Sequence, residues 1–231
     1  MAQQIWRTSF GLDASVFIDG SVRDYTKSVK IGYTGNMIDV YSKFDDLSAH
    51  MTEGKDYRIV TEKRNSPYVI MAMHGGSIEP FTSEIATAIA GEEYALYVFE
   101  GIRERRNLEL HIASEYFDEP QAKDMVRVAD VVVSIHGQHD TENESVMVGG
   151  LNKGLAEKIR ARLTEVDMPI RPFDARFVPD SPQNICNQGM SGGGVEIVIS
   201  RKLRDSLRDD TGLYRLFINA IRHAIAAHQS E

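Results

Sequence analysis

Residues 68–73, Tyr-Val-Ile-Met-Ala-Met, are apolar without alternation. A strand with one wet face alternates apolar and polar side chains. An unbroken run of this length therefore reads as a strand buried on both faces, as in a parallel sheet covered by helices on each side. The run stops at His74, Gly75 and Gly76, passes Glu79, and restarts as a helical pattern over residues 82–91. A second such run, residues 131–135, stops at His136 and Gly137.

The rest of the chain alternates in the same way. Val40, Phe44, Leu47 and Met51 predict a helix over residues 38–51, followed by a strand at 56–60. In the helix over 82–91, Thr82 or Ser83 is the expected N-cap and Gly91 the stop. Strands are expected at 94–100 and 108–114, and a helix at 120–129. A long helix should carry Leu151, Leu155, Ile159, Leu163 and Val166 on one face. After a proline-rich loop come a strand at 195–200 and a closing amphipathic helix at 213–228. The fold class is thus α/β, a mixed, mostly parallel sheet sandwiched between helices, in one domain over residues 37–231. Residues 1–36 are broken by Gly and Asp and read as an irregular N-terminal extension.

Composition narrows the function classes. A net charge of −8 argues against nucleic acid as a partner. No stretch approaches the ~20 consecutive apolar residues of a membrane span. The first residues lack an apolar signal core, so cytoplasmic synthesis is expected, with release by lysis compatible with it. The single cysteine, Cys186, excludes an internal disulfide and a cysteine metal cluster, and reads as a small core residue.

Ligands of open α/β sheets lie beyond the carboxyl ends of the strands. His74 and His136 each follow a buried strand and stand beside glycine, and Glu79 can fold back toward His74. Two histidines and a glutamate with an open fourth position form a catalytic zinc arrangement. The competing reading of either histidine alone is a hydrogen-bonded strand end. His111, inside the strand expected at 108–114, is a second-choice ligand or a substrate contact. His139 and Asp140 can orient the ligands, and His50, His223 and His228 fall on helices. A hydrolase of this kind also needs a base and a cation. Glu196, after the glycine run 192–194, and Glu100, at a strand end, are the candidate bases. Arg103, Arg105, Arg106 and Arg127 are candidate carboxylate clamps.

Four stretches, residues 73–91, 97–120, 132–140 and 184–194, together resemble the poly-γ-glutamate hydrolase family of phages and their bacterial hosts. The similarity runs from about residue 39 to the last helix. It implies a carboxypeptidase-like fold, a Zn2+ cofactor and endo-cleavage of γ-glutamyl amide bonds in a polyanionic polymer, by a chain expected to be monomeric. The motif His-Gly-Gly-Ser-Ile-Glu supplies His74 and Glu79 as zinc ligands, and Ser-Ile-His-Gly supplies His136. Arg103, Arg105, Arg127, Asn107 and His111 become the expected substrate contacts. One departure is visible. The late strand of the family carries its carboxylate at the position of Val198, whereas here Glu196 stands two residues earlier, on the same face of a strand. The alternatives are another metallo-amidase, acting on γ-glutamyl bonds of peptidoglycan stem peptides, and a polymer-binding module without catalysis.

Overall fold

The computed structural model describes residues 39–173 and 177–230. The expected N-terminal extension, residues 1–36, lies outside them. A six-stranded sheet runs through the middle, built from β1 (Tyr57–Glu62), β2 (Tyr68–Gly76), β3 (Ala95–Gly101), β4 (Val131–Gln138), β5 (Val146–Gly149) and β6 (Val195–Ser200). Their spatial order is β1-β3-β2-β4-β6-β5. The inner four strands are parallel, while β1 and β5 run antiparallel at the two edges. This is the mixed α/β sandwich expected from the unalternating runs, and β2 and β6 are buried from end to end apart from half-buried Gly76.

Helices cover both faces. α2 (Thr82–Ala90), α4 (Lys153–Glu165), α5 (Arg201–Asp209) and α6 (Thr211–Gln229) supply one core, with Ile70, Ile85, Ile89, Ile159, Ile197 and Phe217. α1 (Phe44–Ser48) and α3 (Pro120–Val128) supply the other, with Met71, Met73, Tyr97, Phe99 and Phe117. No helix among the described residues is long and apolar enough to cross a membrane.

The structure corrects several expectations. α1 is shorter than the 38–51 pattern, and Val40 is 41 % exposed while Phe44 and Leu47 pack inward. The strand expected at 108–114 is absent. Asn107–Leu110 form a 3₁₀ turn, entered through Arg106 at φ 64°, and the Asn107 amide bonds both the backbone N–H and the carbonyl of Arg103. That local competition outweighs a weak β pattern. β5 and α5 had no sequence counterpart. β5 is only four residues long, and α5 is so rich in charge that its three buried residues, Leu203, Arg204 and Leu207, form no apolar stripe.

Glycine is required where the backbone of β6 enters the sheet. A Cβ on Gly194 would lie 2.0 Å from the Cys186 carbonyl oxygen and 2.5 Å from that of Val132. Both obstacles are backbone, so neither can swing away. Gly194→Ala should destabilise the protein by about 1–3 kcal/mol. Gly154→Ala, in the first turn of α4 with its nearest neighbour at 3.8 Å, should be neutral or slightly stabilising. Urea melts of the two variants check the contrast, and equal midpoints would refute it.

Candidate functional site

The parallel pairing of β4 with both β2 and β6 brings three strand ends to one edge of the sheet. His74 leaves β2 there, His136 lies opposite Val198, and Glu196 sits one inward-facing position back on β6. They surround a cavity of about 350 Å³, also lined by Glu79, His111, His139, Asp140, Val198, Arg201 and Arg204. That lies at the small end of the ~300–1,000 Å³ typical of ligand sites. Glu196 and Val198 both line it, as residues two apart on one strand must.

Glu79 reaches this edge because its loop closes on itself. The Glu79 N–H donates to the His74 carbonyl at 2.8 Å, and the Thr82 hydroxyl donates to the Glu79 carbonyl at 2.8 Å. Thr82 and Ser83 serve the loop and do not cap α2. The Ser83 hydroxyl accepts the Gly76 N–H at 2.9 Å, and the N-cap is Phe81, at φ 77° without a side-chain bond. Gly76, at φ 61°, passes so close to β3 that a Cβ would lie 2.5 Å from the Gly101 carbonyl oxygen.

Around Glu79 the imidazoles converge. Glu79 Oε1 stands 3.5 Å from His74 Nδ1, and Oε2 accepts the Gly137 N–H at 2.8 Å, 3.9 Å from His136 Nδ1. His74 Nε2 donates to the Ile112 carbonyl at 2.9 Å, so in the neutral ring Nδ1 carries the lone pair. Burial would lower this imidazole, but Glu79 beside it outweighs burial and raises it above its ordinary value. His111 stacks on His74 with ring centroids 3.9 Å apart, and its Nδ1 is held by Asp39 Oδ1 at 2.5 Å. Ligand atoms of His74, Glu79 and His111 all lie within 4.8 Å of one another. Two imidazole nitrogens, His74 Nδ1 and His136 Nε2, are buried without a hydrogen-bond partner. A cluster of imidazole and carboxylate donors with two unpaired buried nitrogens fits a borderline-soft divalent metal.

The electrostatics differ from group to group. Burial alone would raise the Glu79 carboxyl, but His74, His136 and His111 outweigh it and hold the carboxyl down at about 2. Burial, with His74 and His111 beside it, pushes His136 down to about 3, so it stays a neutral donor. Glu196, 5 % exposed, is raised by burial to about 7 although Asn184 Nδ2 donates to its Oε2 at 2.6 Å. A carboxylate poised near neutrality and 3.9 Å from His136 Nε2 can take up and release a proton.

Other sequence expectations find different places. Glu100 is not in the cavity lining and its carboxylate is held by Arg58 at the β1–β3 edge. None of the expected arginines lines the cavity. Arg103 pairs with Asp56 and Glu109, Arg106 with Glu109, Arg127 with Asp124, and Arg105 is exposed. Asn107 spends its amide on Arg103, whereas His111 does reach the cavity. Asp140 caps its own turn by accepting the Glu142 and Asn143 N–H groups. Cys186 is fully buried, and burial pushes its thiol well above the usual range, as suits a core residue. The cationic residues of the lining are Arg201 and Arg204, in the helix that the sequence reading missed. Arg204 donates to three carbonyls, those of Ile199 at 3.2 Å, Gln138 at 3.1 Å and Pro80.

The raised Glu196 carboxyl has a consequence for stability. Below its ordinary value of 4.5, folded and unfolded chains are both protonated at this residue. Between 4.5 and about 7 only the folded chain keeps the proton, so this contribution to stability falls as pH rises through that window and is flat above it. Glu196→Gln does not titrate. In metal-free protein its stability relative to the parent should grow from pH 4 to pH 8, by on the order of 3 kcal/mol. Chemical melts at the two pH values measure this, and an advantage that does not grow with pH would contradict it.

Comparison with known proteins gives a consistent set of matches. The family model described as poly-gamma-glutamate hydrolase matches residues 41–218. The UPF0714 protein YndL of Bacillus subtilis (strain 168) is 36 % identical over 171 residues, 73 % of this chain and 67 % of that protein. A solved bacteriophage poly-gamma-glutamate hydrolase is 30 % identical with a TM-score of 0.80, covering 83 % of this chain and 99 % of that one. The zinc-free apo form of YndL is 31 % identical with a TM-score of 0.75, covering 81 % and 98 %.

Proposed function

The chain belongs to the poly-γ-glutamate hydrolase family, and on that premise we propose that it is a zinc-dependent endo-hydrolase of γ-glutamyl amide bonds in poly-γ-glutamate. The observation that carries this reading is the convergence of His74, Glu79, His136 and Glu196 at one sheet edge, with two buried imidazole nitrogens unpaired. Leaving a buried nitrogen unpaired costs about 1–3 kcal/mol, which a metal ligand bond would remove. A zinc-free form of the YndL relative supports zinc as that metal.

His74, Glu79 and His136 would hold the ion. His111 keeps its buried Nδ1 on Asp39 and forms the wall beside His74. Zinc bound there supplies a Lewis acid for the scissile carbonyl and lowers the pKa of its water toward ~7. Glu196 accepts the proton of the attacking water and returns it to the departing amine nitrogen, so the amide C–N bond breaks while a C–O bond forms. Asn184 keeps one Glu196 oxygen in place during both transfers. The cavity accommodates a short stretch of chain, and the rest of a polymer would lie outside it.

Sizing of purified γ-linked polymer, with and without chelator, tests the activity. The expected result is rapid loss of chain length before free glutamate accumulates, abolished by chelator. Polymer bound at unchanged length would reveal a binding module instead. His74→Ala and His136→Ala should lose bound zinc, while His111→Ala retains at least part. Full zinc occupancy in the His136 variant would transfer the third ligand position to His111. Glu196→Gln should keep zinc and lower kcat by about 10²–10⁴-fold with little change in KM. A near-normal kcat would place the base elsewhere.

A further inference from the structure

A polymer with a free carboxylate on every unit requires a cation at a site otherwise lined by Glu79, Glu196 and Asp140. Arg201 and Arg204 are the cationic candidates among the described lining residues, and their surroundings separate them. Arg204 is 3 % exposed, and each of its three nitrogens donates to a backbone carbonyl. It is a brace. Arg201 is the first residue of α5, and its side chain is 34 % exposed. Its Nε alone is engaged, with Asp205 Oδ1 at 3.0 Å and Oδ2 at 2.9 Å. Both terminal amino groups have no partner among the described residues. A guanidinium held by Nε, with two parallel N–H donors left over, matches the two oxygens of a carboxylate.

Its distance along the chain from the reacting groups matters too. Glu196 precedes Arg201 by five residues, four of them steps along extended β6, and Ser200 is paired with Gln138 two residues beyond His136. At ~3.3 Å per residue the two Cα atoms are separated by roughly 15 Å. Arg201 therefore stands at the rim and addresses a unit beside the cleaved amide, not the amide itself.

We infer that Arg201 is a specificity-determining residue that binds the free α-carboxylate of a glutamyl unit flanking the scissile bond, with Asp205 positioning its guanidinium. This rests on the hydrolase reading above and adds the chemical group that the enzyme recognises, a carboxylate adjacent to a γ-linked amide.

The test uses two γ-linked glutamate oligomers of equal length, one with free α-carboxylates and one with α-carboxamides, and the full-length zinc enzyme. The parent should cleave the free acid with at least about tenfold higher kcat/KM, the equivalent of one charge-assisted contact. Arg201→Gln should raise KM for the free acid by about tenfold or more, leave kcat within a few-fold, and leave the carboxamide oligomer unaffected. Zinc content and melting temperature should not change. Arg201→Lys should recover part of the preference, and Asp205→Asn should raise KM less than Arg201→Gln. Arg127→Gln, on the exposed face of α3 away from the cavity, should behave as the parent. An Arg201→Gln enzyme that keeps its preference for the free acid, or an Arg127→Gln enzyme that loses it, overturns the assignment while leaving the hydrolase reading intact. A parent enzyme that shortens neither oligomer overturns the hydrolase reading, and the assignment falls with it.

Discussion

The Glu79 carboxylate lies between two strand ends, with one oxygen 3.5 Å from His74 Nδ1 and the other receiving the Gly137 N–H at 2.8 Å. A carboxylate this buried is costly unless each oxygen has a partner. Here one oxygen takes its hydrogen bond from β4, while the other faces His74 Nδ1 of β2, an approach that needs those strands in register. The tight loop from His74 to Thr82 delivers it, and Gly76 lets that loop pass against β3. Local backbone chemistry, strand order and site electrostatics are thus one constraint seen at three scales. Removing the carboxylate would leave the Gly137 amide without its acceptor.

Much of the fold was legible because its central strands carry no alternation. Residues 68–73 and 131–135 read as strands buried on both faces, and that reading alone placed His74 and His136 at one sheet edge. The pattern failed where a side chain overruled it. Asn107 ties the backbone into a turn, so the alternation of Leu108, Leu110 and Ile112 describes no strand. Burial of charge defeated it a second time. α5 presents Arg201, Lys202, Arg204, Asp205 and Arg208 among few apolar residues, and nothing in its periodicity announces that Arg204 is interior. The clustered arginines at 103–106 looked more like a clamp, yet Arg103 and Arg106 neutralise Asp56 and Glu109 away from the cavity. Charge density in a sequence says little about which charge faces a ligand.

The parallel core also explains how a carboxyl poised at about 7 can persist. Glu196 lies on β6, a strand buried along its whole length, with Asn184 as its hydrogen-bond donor. An apolar residue there would serve stability better. The structure carries the penalty at a strand position from which a carboxylate reaches both the cavity and His136, the kind of local inconsistency that functional sites show.

Arg204 binds the loop after β2, the end of β4 and the end of β6 through their carbonyl oxygens alone. A carbonyl is common to every amino acid, so the brace reads backbone position and is blind to side-chain identity. Pro80, Gln138 and Ile199 can therefore change without loosening it, provided their backbone stays in place. The freedom to vary is spread over three segments, while intolerance to change is concentrated at residue 204. A lineage of such chains could remodel the mouth of the cavity to suit new polymers while the frame behind it stayed still.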